Sequence, residues 1–439
     1  MSKNIIVAGG GLVGSLITVL LSKQGHQVQL HEKRPDPRGH ALSGGRSINL
    51  ALSHRGFHAL EQAGLKHVIK PLGVPMYGRA IHDAEGQVTF QPYGEKGQAI
   101  WSVSRNKLNE VLIDQAGQHA ELFFEQEFVQ ATGQEAVFSE AGKEYSYAYD
   151  LLLGCDGANS NVRKQVKGAS WEEEPLSHRY TELHIPPNPK TGDFALEPNA
   201  LHIWPRRQFM LIALPNADHS FTGTLFLAAK ENPSFESLAD QGDMEVFLRK
   251  HFPDAVAHIP DLSAQLVTNP VSSLSTMYVK QWYDGATMLL GDAAHAIVPF
   301  YGQGMNAGFE DCRLFGEQIA AKGVSPSTLQ RFYEQRKPDA DAIAKLALDN
   351  FIEMRDKVAD EGFLKRKEID QLLHEAFPQD WQTQYGMVTF SDTPYREALE
   401  RGKEQAAVIE KIVGSEGFEM GWLKGEVHPK VKQVLRDQA

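Results

Sequence analysis

The rhythm of apolar and polar positions changes several times along the chain, and each rhythm predicts an element. Ile5, Ile6 and Val7 form a short unbroken apolar run, which predicts a buried strand. Leu12, Leu16 and Leu20, with Val13, Ile17 and Leu21, then recur at helical spacing until Gly25 closes the pattern. Val28, Leu30 and Glu32 alternate as a second strand. This strand, helix, strand opening predicts a doubly wound α/β sheet. Helical spacing returns at 106–118, followed by an expected strand around 122–128 and a further pair near 145–153.

The middle of the chain has a different character. Met210, Ile212 and Leu214 alternate, Pro-Asn-Ala-Asp makes a turn, and Thr222, Thr224 and Phe226 alternate back, which predicts an antiparallel hairpin within 200–228. An α/β element resumes with TMLLGDAAH at 287–295, and a helix is expected from Asn306 through Cys312, Phe315 and Ile319 to Gly323. Beyond Pro326 the pattern is helical, with an expected interruption at Pro338. A nucleotide-binding fold that begins at the first residues, gives way to an antiparallel sheet and resumes near 275 predicts a discontinuous domain with a second one inserted. The boundaries expected are 1–70, 98–175 and 275–330 for the first domain, 71–97 and 176–274 for the inserted sheet, and 331–439 for a helical end. A seam of this kind is a natural place for a pocket.

Composition narrows the classes. With 439 residues, 42% hydrophobic and 23% charged, the chain can build a sizeable core. The 44 Lys and Arg against 56 Asp and Glu give a net charge of −12, which disfavours a dedicated nucleic-acid binder. Two cysteines, Cys155 and Cys312, are too few for a disulfide framework or a thiolate zinc site, so a cytoplasmic setting is expected. No run of about 18 apolar residues occurs. The opening MSKNIIVAGGG is expected to be a strand entering a loop and not a signal peptide, and the polar end GEVHPKVKQVLRDQA carries no expected membrane anchor. A homodimer is left open.

Three motifs carry chemistry. Gly9, Gly11 and Gly14 form GxGxxG between a strand and a helix, with Glu32 ending the next strand. Such glycines let the backbone approach a pyrophosphate, the helix N-terminus meets its charge, and the carboxylate accepts ribose hydroxyls. The pattern leaves FAD and NAD both open. CDGANSNVR at 155–163 reads by itself as an Asp-Gly turn. In GDAAHAIVPFYGQGMNAGFED at 291–311, Asp292 can accept from a ribityl hydroxyl, Gly302 and Gly304 open space beside a flat ring, and the helix starting near Met305 and Asn306 aims its positive end at that ring. His295 is at least as consistent with a structural role as with a catalytic base.

In this order and spacing the motifs resemble the single-component FAD-dependent aromatic hydroxylases. Further blocks resemble the kynurenine 3-monooxygenase family within them: GGRSINLALSHRG at 44–56, YGRAIH at 77–82, QPYG at 91–94, SVSRNKLN at 102–109, FMLIALPN at 209–216, FTGTLF at 221–226, DNFIEMRD at 349–356 and YGMVTFSDTPYREA at 385–398. The resemblance implies an α/β fold with a FAD-binding Rossmann-like domain of the glutathione reductase type, an inserted antiparallel sheet domain and a C-terminal helical region. It implies that L-kynurenine, NADPH and O2 are converted to 3-hydroxykynurenine through a C4a-hydroperoxyflavin, with no catalytic side chain beyond the flavin and no metal.

The resemblance also implies site residues. Arg79 is expected to pair with the amino-acid carboxylate, and Tyr93, Asn350 and Tyr385 to hydrogen-bond the substrate's polar end. Asn350, Glu353 and Met354 are expected on one helix face. Apolar walls are expected from Ile212, Leu214, Phe226, Pro299 and Phe300. Against FAD it puts Gly9, Gly11, Leu12, Val13, Gly14, Glu32, Ala51, Arg105, Phe128, Asp156, Asp292, Gly304, Met305 and Asn306. Tyr301 departs from a histidine in bacterial relatives. The absence of an anchor implies the soluble bacterial form, and no second GxGxxG marks an NADPH site.

Rival readings are a hydroxylase of another aromatic acid, a flavin reductase, and a FAD-binding protein without catalysis. A halogenase is disfavoured because WxWxIP is missing, and HIWPRR at 202–207 is no substitute.

Overall fold

The computed structural model describes residues 1–38, 49–357 and 361–437, so positions 44–48 of the GGRSINLALSHRG block lie outside the described residues. Strand Asn4–Ala8 is central in a six-stranded sheet. It pairs in parallel with Gln27–Glu32 on one side and Leu151–Gly154 on the other. Glu121–Phe124 and Thr287–Leu289 extend the sheet in parallel, and Tyr283–Asp284 closes one edge antiparallel. Helix Leu12–Lys23 is buried from Gly14 through Leu21 because it packs both on this sheet and against helix Gly304–Lys322. A helix apolar on most sides is the expected solution for such a sandwiched position.

Two sequence expectations are refined here. The strand expected over 122–128 breaks at Glu125, whose φ of 59° turns the chain out of the parallel sheet. Strand Glu127–Thr132 then joins a separate three-stranded sheet with Glu135–Glu140 and Lys143–Ala148. The two strands expected near 145–153 therefore belong to different sheets.

The second large element is a seven-stranded sheet in the order 272–279, 171–185, 221–228, 209–215, 200–206, 78–82 and 88–92. All pairs are antiparallel except Ala200–Arg206 with Gly78–His82. Alternation along Phe209–Pro215 sorts its residues between two cores. Phe209, Leu211 and Ala213 pack on helices Gln241–His251 and Leu262–Thr268, whereas Met210 and Ile212 belong to the core on the other side, which also takes in Ile343 and Ala347 of helix Pro326–Ile352. Strand Gly73–Met76, expected with the inserted sheet, pairs instead with Ile100–Ser104 in a small sheet that also holds Asn49–Leu52.

Helix Pro326–Ile352 runs through Pro338 without the expected interruption. Pro338 and Glu334, whose carbonyl loses its partner, are both exposed, so water can take the freed carbonyl. The opposite face is held by buried Phe332, Arg336, Asp339 and Ile343. The helix ends in a π turn over Glu353–Lys357. Among the described residues no helix is long and apolar enough to cross a membrane.

Candidate active site

A cavity of about 570 Å3 runs from the glycine turn of the parallel sheet to the face of the seven-stranded sheet. At one end, Gly9 has a φ of 107°, and a Cβ there would meet the Cys155 carbonyl oxygen at 2.4 Å. A Cβ on Gly14 would stand 1.9 Å from the Gly9 carbonyl oxygen, so helix Leu12–Lys23 can start this close to the strand only with glycine. Gly11 caps that helix without a side-chain hydrogen bond, which leaves its first N–H groups directed at the cavity mouth. These are the features a pyrophosphate requires. Gly9, Gly11, Leu12 and Val13 line the cavity, while Gly14 lies behind them and shapes the turn without reaching it.

Glu32 also lines the cavity. One carboxylate oxygen accepts the Gly10 N–H at 2.7 Å, and the other accepts the Arg34 N–H and Nε at 2.9 and 2.8 Å. Burial works against its charge, but the Arg34 and Gly10 donors outweigh it and hold the carboxyl below its ordinary value. Glu32 is therefore an ionised acceptor, and the Arg34 side chain across it, bonded to both carboxylate oxygens, is 60% exposed. Nearby, His31 is stacked between Phe123 and Phe138 with ring centres 4.6 and 3.9 Å away. Phe128, Arg105 and Asp156 line the same stretch. The Asp156 carboxylate accepts N–H groups of Asn161 and Val162 at 2.7 and 3.1 Å, which folds the CDGANSNVR loop against the cavity.

In the middle of the cavity stand Ala51, Asp292, Gly302, Gly304 and Met305. Asn306 does not join them. Its amide nitrogen donates to the Ala51 and Gly302 carbonyls, both at 2.8 Å, and its oxygen accepts the Ser53 N–H at 2.9 Å. Fully buried, it clips the strand Asn49–Leu52 to the glycine loop. The side chain expected against the cofactor is thus spent on backbone groups of the protein itself. His295 is bound at 2.5 Å to Asp311, which also accepts the Gly291 N–H and the Arg336 Nε, so this histidine is part of a buried charge network.

At the far end Arg79, Tyr93 and Tyr385 meet. The Arg79 guanidinium carbon lies 5.6 and 5.2 Å from the ring centres of Tyr93 and Tyr385, which stack at 5.3 Å. Tyr301 continues the stack 5.7 Å from Tyr385. Burial works against the Arg79 charge, but Tyr385, Tyr93, Glu353 and Tyr301 around it outweigh burial and raise its pKa. Burial pushes all three phenols up, so they stay protonated donors. Among the described residues no carboxylate lies within ion-pair distance of Arg79, and its buried Nε has no hydrogen-bond partner. Ile212, Leu214, Phe226, Pro299, Phe300 and Met354 form apolar walls beside this group.

Two expected substrate contacts are not brought in. Asn350 is buried and its amide donates to the Phe300 carbonyl at 2.6 Å and toward the Met354 sulfur at 3.4 Å. Because the α-helix gives way to a π turn at Glu353, the expected shared face is broken: Met354 lines the cavity, whereas Glu353 pairs with Lys367 at 3.3 Å. Conversely, Tyr180, Thr222, Thr224, Ile297 and Gln126 line the cavity without having been expected there. For Thr222 and Thr224 the signal was present, since both alternate with Phe226 on one strand face.

The comparisons with known proteins follow the same lines. A family model described as an FAD binding domain matches residues 2–347. The kynurenine 3-monooxygenase of Cytophaga hutchinsonii is 44% identical, with 99% of each chain covered. The chain belongs to the kynurenine 3-monooxygenase family. A relative with the same name from Anopheles gambiae is 41% identical over 93% of this chain and 86% of its own. Among solved structures, the tetrameric 2-methyl-3-hydroxypyridine-5-carboxylic acid oxygenase aligns with a TM-score of 0.69 at 20% identity, covering 83% of this chain and 95% of the other. PqsL of Pseudomonas aeruginosa with 2-aminobenzoylacetate aligns at 0.68 and 16% identity, over 83% and 100%. These two show the aromatic-hydroxylase fold. The kynurenine 3-monooxygenase family thus supplies the frame in which the cavity is read.

Proposed function

We propose that the protein hydroxylates L-kynurenine to 3-hydroxykynurenine, consuming NADPH and O2, and that Arg79 receives the substrate's carboxylate between Tyr93 and Tyr385. The observation that carries the site reading is an enclosed cation facing a cavity, flanked by protonated phenols and lacking a carboxylate partner among the described residues. A buried charge without a partner is costly, and a bidentate carboxylate is the ligand that best offsets it.

The glycine cradle and the ionised Glu32 fit FAD, with Gly9, Gly11, Leu12 and Val13 toward the pyrophosphate, Glu32 toward a ribose, and Ala51, Asp292, Gly304 and Met305 along the ring. When bound, FAD takes electrons from NADPH and activates O2 for transfer of one oxygen atom to the aromatic ring. The chain's own task is placement. Arg79 and the tyrosines fix one end of the substrate, while Ile212, Phe226, Pro299 and Phe300 hold its ring and keep water away. The amino group already makes that ring electron-rich at the ortho carbon, so no strong protein base is required.

The test is to purify the protein, record a flavin spectrum, and follow NADPH oxidation with and without L-kynurenine. The reading predicts stimulated oxidation and a product one oxygen atom heavier. Stimulation by another aromatic acid, with none by L-kynurenine, would reassign the substrate.

A further inference from the structure

We propose that His54, His58 and Asp392 form a surface site for one divalent late first-row transition ion, with zinc the reference occupant, that clamps helix His54–Gln62 to the turn preceding helix Tyr395–Val413. The two histidines are one helical turn apart and share a face. His54 Nε2 and His58 Nδ1 each lie 3.1 Å from Asp392 carboxylate oxygens, and the three candidate ligand atoms lie within 4.8 Å of one another. Among the described residues this is the single such grouping of histidine, cysteine and carboxylate side chains.

The placement is built from below. Arg55, between the two histidines, is buried and donates to the carbonyls of Val388 at 3.1 Å, Met387 at 3.4 Å and Thr393. Ser391 donates to the Met387 carbonyl at 2.7 Å and accepts the Thr393 N–H at 3.1 Å. The backbone on both sides of Asp392 is thereby fixed to the helix that carries the imidazoles, so the ligands from two distant segments are held together before any ion arrives.

Two imidazole nitrogens and a carboxylate oxygen are a donor set suited to zinc, nickel or copper and poorly suited to magnesium. The side chains are 41%, 41% and 42% exposed, so water can complete the coordination shell. Binding replaces two N–H···O hydrogen bonds by two metal–nitrogen bonds and one metal–oxygen bond; each neutral imidazole keeps its single proton on the ring nitrogen away from the ion, and an imidazolium releases its second proton to water. Arg313, 3.8 Å from Asp392 and paired with Glu317 at 3.0 Å, sets the limit on affinity by its like charge to the ion. The consequence reaches the cavity, because the clamped turn directly follows helix Gln384–Phe390, which carries Tyr385.

The experiment is calorimetric titration of the chelator-treated, full-length flavin-loaded protein with zinc chloride, and with magnesium chloride as the contrast. The expected result is one zinc per chain with a dissociation constant of about 1–50 μM, no magnesium binding, and a raised thermal midpoint. His54→Gln with His58→Gln, and separately Asp392→Asn, should each weaken zinc binding at least about tenfold while leaving flavin content and the kynurenine-stimulated turnover of the chelator-treated, ion-free protein unchanged. Wild type that takes up no zinc, or a double variant that binds it with unaltered affinity, overturns the proposal and leaves the cluster a hydrogen-bonded staple. Should a variant fail to fold, anomalous scattering from a zinc-soaked wild-type crystal decides: an ion between the three residues supports the site, and its absence there overturns it.

Discussion

The Arg79 guanidinium carbon stands 5.2 Å from the centre of the Tyr385 ring, although one residue belongs to strand Gly78–His82 and the other to helix Gln384–Phe390 near the opposite end of the chain. The Arg79 end of the cavity therefore exists only when the seven-stranded sheet and the C-terminal helices are packed together. Arg79→Lys keeps the charge and loses the planar fork, so L-kynurenine should bind at least about tenfold more weakly while flavin content is unchanged. Steady-state KM and the flavin absorbance of the purified variant check both halves.

Asn350 supports the cavity wall from behind. Its amide holds the Phe300 carbonyl at 2.6 Å in a buried setting. Asn350→Ala strands that carbonyl, and thermal or urea denaturation should show a loss of about 1–3 kcal/mol. If instead stability is retained and only KM rises, Asn350 contacts the substrate directly.

A buried network ties the glycine loop to the C-terminal helices. Arg336 reaches Glu310 at 3.0 Å and Asp311 at 2.8 Å, Asp311 holds His295 and the Gly291 N–H, and Glu310 reaches Arg55 at 2.5 Å. Burial opposes the Arg336 charge, and Glu310 and Asp311 outweigh it, so its pKa is raised. Arg336→Ala leaves two buried carboxylates short of a partner, and the expected cost is about 3–5 kcal/mol, measured by urea denaturation.

Two buried histidines make the fold acid-sensitive. Burial lowers His31 to about 4 despite the hydrogen bond to Gln126, and burial lowers His202 to about 4 despite its bond to the Glu197 carbonyl. Between pH 6.5 and 4 the unfolded chain binds protons at both positions that the folded chain refuses, so stability falls as pH falls through this window. Each contributes about 2–3 kcal/mol at neutral pH that is lost by pH 4. Urea midpoints at pH 7.0 and 4.5 should differ accordingly, and His202→Gln should reduce the difference.

Much of this was legible in the sequence because the signals were local. Gly9, Gly11 and Gly14 with Glu32 announce their turn through backbone sterics, and Met210, Ile212 and Leu214 announce a strand by alternation. What periodicity cannot give is where a polar side chain points once two elements pack. Asn306 and Asn350 sit at helix positions beside the cavity, yet their amides are drawn to the backbone carbonyls of Ala51, Gly302 and Phe300. Those carbonyls come from other segments, and their need for donors is a property of the assembled fold. Pro338 shows the same limit: a local breaker is overridden where its freed carbonyl faces water and the other helix face is anchored.

The most direct test of the central claim is a cycle of four binding measurements. Flavin-loaded wild type and Arg79→Ala are each titrated with L-kynurenine and with its analogue lacking the carboxylate. Wild type should favour L-kynurenine by about 2–5 kcal/mol, and Arg79→Ala should bind the two ligands equally. A preference for the carboxylate that survives intact in Arg79→Ala would contradict the account.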